Sequence, residues 1–236
     1  FMKKTKIKYV FDVDGTLTPS RGRMNKHFAV WFSKFCEHND VYLVTGSDKP
    51  KTVEQVGAYI YHACKRVYNC SGNDVYERDQ NLRRNEWKLP ELARTFLISC
   101  EYESGFGLRT GKHIEERPGC VNFSVVGRNA TKKNRAEYVL WDKKTNERSN
   151  IANAFNMMFP DLQANVGGET GIDIAPKGAD KSQILTDFKG AEVYFFGDAM
   201  DEGGNDYALK IANKYGKNFT VKDWKDTWDK LKELGE

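Results

Sequence analysis

The chain has 236 residues, 39% of them hydrophobic and 30% charged, with a formal net charge of +4. These proportions lie near globular averages and exclude a disordered chain, and the lysines are scattered among acids, so charge gives no indication of nucleic-acid binding and suits a small anionic substrate. The five cysteines (Cys36, Cys64, Cys70, Cys100, Cys120) are odd in number and form no CxxC pair, which argues against a disulfide framework or a structural zinc site.

The cysteines read as free thiols in a reducing compartment. No apolar stretch behind the opening Phe1-Met2-Lys3-Lys4 is long enough for a signal peptide, and no later segment approaches the about 18 apolar residues of a membrane span. A cytoplasmic protein without membrane association is expected, and Phe1, ahead of Met2, is set aside as a non-native addition. The length favours one core carrying an inserted second unit.

In chain order, residues 6–11 form a β-rich apolar run that ends abruptly at Asp12. Residues 25–38 have aromatic and aliphatic residues at helical spacing, and residues 41–44 repeat the strand pattern, ending at Thr45-Gly46. Strand, helix, strand is the βαβ unit of a parallel sheet. Further on, residues 121–126 and 136–141 read as strands and 150–158 as a helix. A helical stretch over Lys181–Phe188 then leads to a strand over 193–196, which ends at Gly197-Asp198. The expected class is α/β, with core segments at residues 1–81 and 180–236 and an inserted cap domain at 82–179. Polar residues just past strand carboxyl ends lie where open α/β sheets bind ligands.

Asp12-Val13-Asp14-Gly15-Thr16 places two carboxylates one residue apart after a strand, so their side chains diverge and can take separate roles. A lone DxD is more often an Asx-rich turn; the apolar lead-in and the following glycine set this one apart. Two neighbouring carboxylates repel each other and suit a cation, and Mg²⁺ favours a few carboxylates with water. Further acids stand at Asp198 and in the run from Asp201 to Asp206, which alone could be a solvated loop. Lys181 alone would be a surface lysine, and Thr45 alone a helix cap.

With its strand and DxDGT string, the sequence resembles the haloacid dehalogenase superfamily. That resemblance implies a Rossmann-like parallel-sheet core with an inserted α+β cap. It also implies Asp12 as the nucleophile that forms an aspartyl-phosphate, and Asp14 as general acid and base. Lys181 becomes the phosphate-neutralising lysine and Thr45 the phosphate-binding hydroxyl. Asp12, the Asp14 backbone carbonyl and Asp198 become the Mg²⁺ ligands, supported by Asn205 and Asp206.

A narrower resemblance, to the eukaryotic-type phosphomannomutases, covers nearly the whole chain. It is carried by residues 12–21 (DVDGTLTPSR), 117–128 (RPGCVNFSVVGR) and 135–143 (RAEYVLWDK), by Gly167-Gly168 with Asp173, and by residues 178–181 and 195–206. It implies that Arg21, Arg117, Arg128 and Arg135 grip the phosphate remote from the reacting one, as guanidinium forks suit, and that Asp173 binds sugar hydroxyls. It further implies a hexose 1,6-bisphosphate activator, interconversion of mannose 6-phosphate and mannose 1-phosphate, and a homodimer through the cap. A sugar-phosphate phosphatase on the same fold is the alternative. The sequence departs from the family at Gly171, where a sugar-contacting serine is usual, at Pro118 for asparagine, at Thr45 for glycine, and at Ser71-Gly72-Asn73-Asp74 for an ENGL turn.

Overall fold

The computed structural model describes residues 6–235, so residues 1–4, read above for targeting, lie outside the described residues. The chain begins with β1 (Lys8–Phe11), α1 (Lys26–His38), β2 (Asp40–Val44), α2 (Lys49–Val56), α3 (Ala58–Ala63), β3 (Arg66–Asn69), β4 (Asp74–Glu77) and β5 (Gln80–Arg84). The middle contains α4 (Glu91–Glu103), β6 (Ile114–Arg117), β7 (Cys120–Phe123), α5 (Lys132–Thr145), α6 (Glu147–Met158), β8 (Leu162–Gly167) and β9 (Gly171–Pro176). A 3-10 helix over Lys181–Phe188 leads into β10 (Val193–Gly197), α7 (Tyr207–Ala212), β11 (Lys217–Thr220) and α8 (Trp224–Glu233). Among the described residues, no helix is long and apolar enough to cross a membrane.

Two compact units result, one comprising the residues up to Arg84 and those from Gly178 onward, the other Asn85–Lys177. The sequence reading placed the boundaries at 81/82 and 179/180. The difference at the first boundary arises because β5 pairs with β4 and is tied down by ion pairs from Arg84 to Asp74 and from Arg83 to Asp187. Its exposed, polar sequence QNLRR lacks the apolar alternation that marks a half-buried strand.

In the first unit the seven strands run in the order β11-β10-β1-β2-β3-β4-β5. The first five are mutually parallel, and β4 and β5 close the sheet as an antiparallel hairpin. Parallel strands covered on both faces have near-continuous apolar sequences, as in VYFFG of β10. Alternation divides β1 between the two faces. Tyr9 and Phe11 join Phe28, Phe32 and Phe35 of α1, while Val10 packs with Ile184, Phe195 and Leu209. This arrangement brings Asp12, Thr45 and Asp198, each one residue past its strand, to the same sheet edge.

In the second unit, an antiparallel sheet of order β6-β7-β9-β8 is covered by helices on one face. Val121 and Phe123, Ile172 and Ile174, and Leu162 and Ala164 enter a core shared with Leu97, Tyr138 and Phe155, so the residues between them face the other way. The expected strand at 136–141 is instead part of α5. Thr131 and Asn134 form a reciprocal capping box that starts the helix, and buried Tyr138 supplies its inward face. Tyr, Val, Leu and Trp in succession suit a strand by composition, and the capping signal decides otherwise. The expected strand 121–126 ends at Phe123, and the 181–188 helix is 3-10 throughout.

Phe28 stacks on Trp224 and Trp228 at 5.8 and 5.3 Å and joins α1 to α8. Phe28→Ala should therefore cost about 3–5 kcal/mol of unfolding free energy. Chemical denaturation checks this, and an unchanged midpoint would show that the stack contributes nothing to stability.

Candidate active site

Asp12 leaves β1 with its backbone N–H bonded to the Phe196 carbonyl at 2.9 Å, and its side chain is 3% exposed. The Lys181 ammonium donates to Asp12 Oδ1 at 2.7 Å and to Asp206 Oδ1 at 2.8 Å, while the Thr16 hydroxyl donates to Asp12 Oδ2 at 3.3 Å. Asp180 caps the turn that presents Lys181, accepting from Ser182 N. The Ala199 N–H, in turn, donates to Asp206 Oδ2.

Asp12, Asp198 and Asp206 offer oxygens that lie within 4.8 Å of one another. Asp198 reaches over Gly15, where a β-carbon would stand 2.2 Å from its Oδ2 and the backbone has φ +72°. Only glycine fits there, which gives the glycine of DxDGT a local purpose. Burial drives the Asp12 carboxyl well above the usual carboxylate range; Asp206 and Asp198 add to this, and Lys181 opposes it. Burial works against the Lys181 charge, but Asp12 and Asp206 outweigh it and raise its pKa above the ordinary lysine value. Burial likewise raises Asp198. Two carboxylates thus bond one ammonium, and a third lies beside them. This all-oxygen, charge-deficient set fits a hard divalent cation such as Mg²⁺.

Asp14 points away from this cluster. Its Oδ1 accepts from Arg21 N at 2.6 Å and from Gln55 Nε2 at 2.7 Å, separating the two acids of the motif as alternation requires. Arg21 lies in the first unit, in a left-handed conformation at φ 56°, apart from the other three arginines in sequence and in unit. Thr45 is buried at the end of β2, and its hydroxyl accepts from Ser47 N at 3.1 Å. Asn205 is exposed, whereas its neighbour Asp206, expected only in a supporting role, is fully buried in the cluster itself.

On the open face of the second unit's sheet, Glu115, Asn122, Asp173 and Asn165 are successive cross-strand neighbours. The Glu115 carboxylate receives Arg117 Nε at 2.9 Å and Arg128 Nε at 2.6 Å. Burial tends to raise Glu115, but the two guanidinium groups outweigh it and hold the carboxyl below its usual range. Arg128 Nη1 donates to Asn122 Oδ1 at 3.2 Å, and Asn122 Nδ2 donates to exposed Asp173 at 2.8 Å. Arg135 pairs separately with Glu169 at 3.4 Å, on the turn between β8 and β9. Arg148 clamps that turn through the carbonyls of Gly168 and Gly171 while its Nε binds Asp142.

Gln55, Glu115, Asn122 and Arg148 were not singled out from sequence. The period-2 pattern Glu115-x-Arg117 and the polar Asn122 between apolar neighbours mark a polar sheet face; nothing local marks Gln55 or Arg148.

Lys181→Met would leave two buried carboxylates facing each other without a cation, at a cost of about 3–5 kcal/mol at a pH above the raised Asp12 value. Because burial raises Asp12 to about 8, the deficit should shrink as pH falls through that raised range and Asp12 becomes neutral. In the parent protein the raised Lys181 contributes its stability in full below the ordinary lysine pKa and loses it only as pH rises through the folded value. Urea titrations on either side of that raised Asp12 value measure this, and an equal deficit at both would contradict the charge argument.

The model of the eukaryotic phosphomannomutase family matches residues 28–236. The phosphomannomutase of Encephalitozoon cuniculi is 33% identical over 246 residues, covering 98% of this chain and 95% of that protein. That of Saccharomyces cerevisiae is 31% identical over 228 residues, covering 91% and 89%. Among solved structures, a haloacid dehalogenase-like hydrolase from Bacteroides thetaiotaomicron superposes with a TM-score of 0.63 at 14% identity, covering 99% of this chain and 100% of that one. A trehalose-6-phosphate phosphatase related protein gives 0.57 at 19%, covering 96% of each chain. These two likenesses establish the haloacid dehalogenase fold. The family model and the full-length relatives go further, and place this chain in the eukaryotic phosphomannomutase family.

Proposed function

We propose that the protein is a phosphomannomutase that interconverts mannose 6-phosphate and mannose 1-phosphate, using Mg²⁺ and a hexose 1,6-bisphosphate activator. The observation that carries this reading is the placement of Arg117 and Arg128 around Glu115, in one row with Asp173 on an open sheet face. A hydrolase acting on one phosphate needs no second anion site, whereas a mutase must hold each end of its substrate in turn.

In this mechanism an Asp12 oxygen attacks the bisphosphate phosphorus. An acyl-phosphate bond forms as the bond to the sugar oxygen breaks, and Asp14 gives that oxygen its proton. Asp14 then takes the proton of an incoming hexose-monophosphate hydroxyl, which attacks the same phosphorus and restores Asp12. Lys181 holds Asp12 in place through Oδ1 and offsets phosphate charge. Asp12, Asp198 and the Asp14 carbonyl would hold Mg²⁺, which supplies charge neutralisation at the transferring phosphoryl group. Arg117, Arg128 and Arg135 bind the other phosphate, and Asp173 accepts from sugar hydroxyls.

A second reading, a sugar-phosphate phosphatase, is favoured by the Thr45 hydroxyl at the end of β2, where the family pattern has glycine. Incubation with Mg²⁺, mannose 1-phosphate and catalytic hexose 1,6-bisphosphate separates the two. Mannose 6-phosphate without free phosphate supports the mutase, and stoichiometric phosphate without isomer overturns it.

Asp12→Asn should abolish turnover, because an amide is a poor nucleophile, and any turnover above contamination would remove Asp12 from its role. Asp14→Asn should lower the rate by about 10²–10⁴, and turnover at the parent rate would exclude Asp14 as the proton carrier. Arg128→Ala should lower mutase kcat/KM by about ten- to a hundredfold, with Arg128→Lys recovering only part, because an ammonium lacks the fork geometry. Unchanged kcat/KM in Arg128→Ala would exclude the anchor role.

A further inference from the structure

Asn122 lies at the centre of the polar row on the second unit's sheet and is only 6% exposed. Its amide oxygen accepts from Arg128 and its amide nitrogen donates to Asp173 Oδ1. A guanidinium has only donors and a carboxylate only acceptors, so this orientation is the one that satisfies both neighbours. The amide therefore links a cation and an anion that make no direct contact with each other in the row.

The space for this link comes from the facing strand. Gly171 and Gly167 are register partners on β9 and β8. A β-carbon on Gly171 would lie 2.6 Å from Asn122 Nδ2, and one on Gly167 would lie 2.4 Å from Asp173 Oδ2. Amide and carboxylate thus rest on one bare patch of backbone, which Arg148 secures by donating to the Gly167 and Gly171 carbonyls.

We infer that Asn122 is a positioning residue that couples the Arg128 anchor to the Asp173 hydroxyl acceptor, and that Gly171 sets sugar selectivity by leaving the space the amide occupies. The inference rests on the proposed roles of Arg128 and Asp173. With Oδ1 engaged by the amide, Asp173 presents Oδ2 to a sugar hydroxyl, at a distance from the phosphate anchor set by the length of one Asn side chain. A serine at position 171 would displace the amide before it could contribute a sugar contact of its own.

The test uses the full chain with Mg²⁺ and hexose 1,6-bisphosphate, and measures kcat and KM for mannose 1-phosphate and glucose 1-phosphate, alongside cleavage of p-nitrophenyl phosphate. Asn122→Ala should lower hexose kcat/KM about tenfold, chiefly through KM, and Asn122→Asp about a hundredfold, because it sets a second carboxylate against Asp173. The ratio of hexose isomerisation to ester cleavage should fall in both, and the mannose-to-glucose preference should change. Gly171→Ser should cost about tenfold in the parent but about twofold or less in the Asn122→Ala background, because the amide it displaces is already gone. The same penalty in both backgrounds, or Asn122 variants with parental hexose kcat/KM, would overturn the inference. So would an equal loss on hexose and ester with a lowered melting temperature, which would mark a folding role. If Arg128→Ala impairs isomerisation while the Asn122 variants do not, this inference falls alone. If the parent protein isomerises neither hexose, the proposed function falls with it.

Discussion

Lys181 reaches Asp12 across 169 residues of chain and meets Asp206 with the same ammonium, and all three side chains are almost wholly removed from solvent. A buried carboxylate without a partner costs several kcal/mol, so neither acid could stay ionised in this position alone. The ammonium offsets one negative charge and leaves the cluster short of at least one more. On the proposed reading that deficit would suit a site that attracts a cation together with a phosphate. It also fixes geometry, because the 3-10 turn bearing Lys181, the loop after β10 and the strand end at Asp12 must all converge on a single nitrogen.

The second unit applies the same chemistry under different conditions. Arg117 and Arg128 sit on a sheet face with roughly a third of each side chain exposed, where water screens ion pairs and a salt bridge adds little stability. Glu115 therefore serves orientation more than stability. It holds two guanidinium groups side by side, so that on the proposed reading less side-chain entropy would be lost when an anion arrives. The first unit thus has a buried charge cluster and the second a partly solvated one, which on the proposed reading would serve reaction and recognition respectively.

How far this was legible in the sequence depended on how local each signal is. Asp12, Asp14 and Gly15 stand in one short string after an apolar strand, and the βαβ order of the core follows from apolar runs of the right length. The helix α5 was misread because aromatic and branched residues at 136–141 suit a strand by composition, while the Thr131–Asn134 capping box lies just upstream of that window. Gln55 was invisible because its partner Asp14 is 41 residues away and neither flank forms a motif. Asp206 was underestimated for the same reason, since an acidic loop in sequence says nothing of which carboxylate folds inward to meet a distant lysine. The clamp by Arg148 depends on carbonyls, which no side-chain pattern records.

The distinction between transfer to a sugar and transfer to water follows from this division. In the proposed mechanism, an Asp12 that carries a phosphoryl group leaves Asp14 to activate any hydroxyl that reaches it, and neither residue would discriminate between a hexose and a water molecule. A hydroxyl at Thr45 would act on the reacting phosphate, as the phosphatase reading has it, and does not itself recognise a sugar. Selection of the acceptor must come from groups that recognise what the sugar has and water lacks, namely a second phosphate and a set of ring hydroxyls at a fixed distance from it. Those are the features that Arg128 and Asp173 would read, and Asn122 fixes the distance between them. The departure from the family at Gly171 therefore bears on acceptor choice more directly than the departure at Thr45, because it changes the ruler and leaves the reaction unchanged.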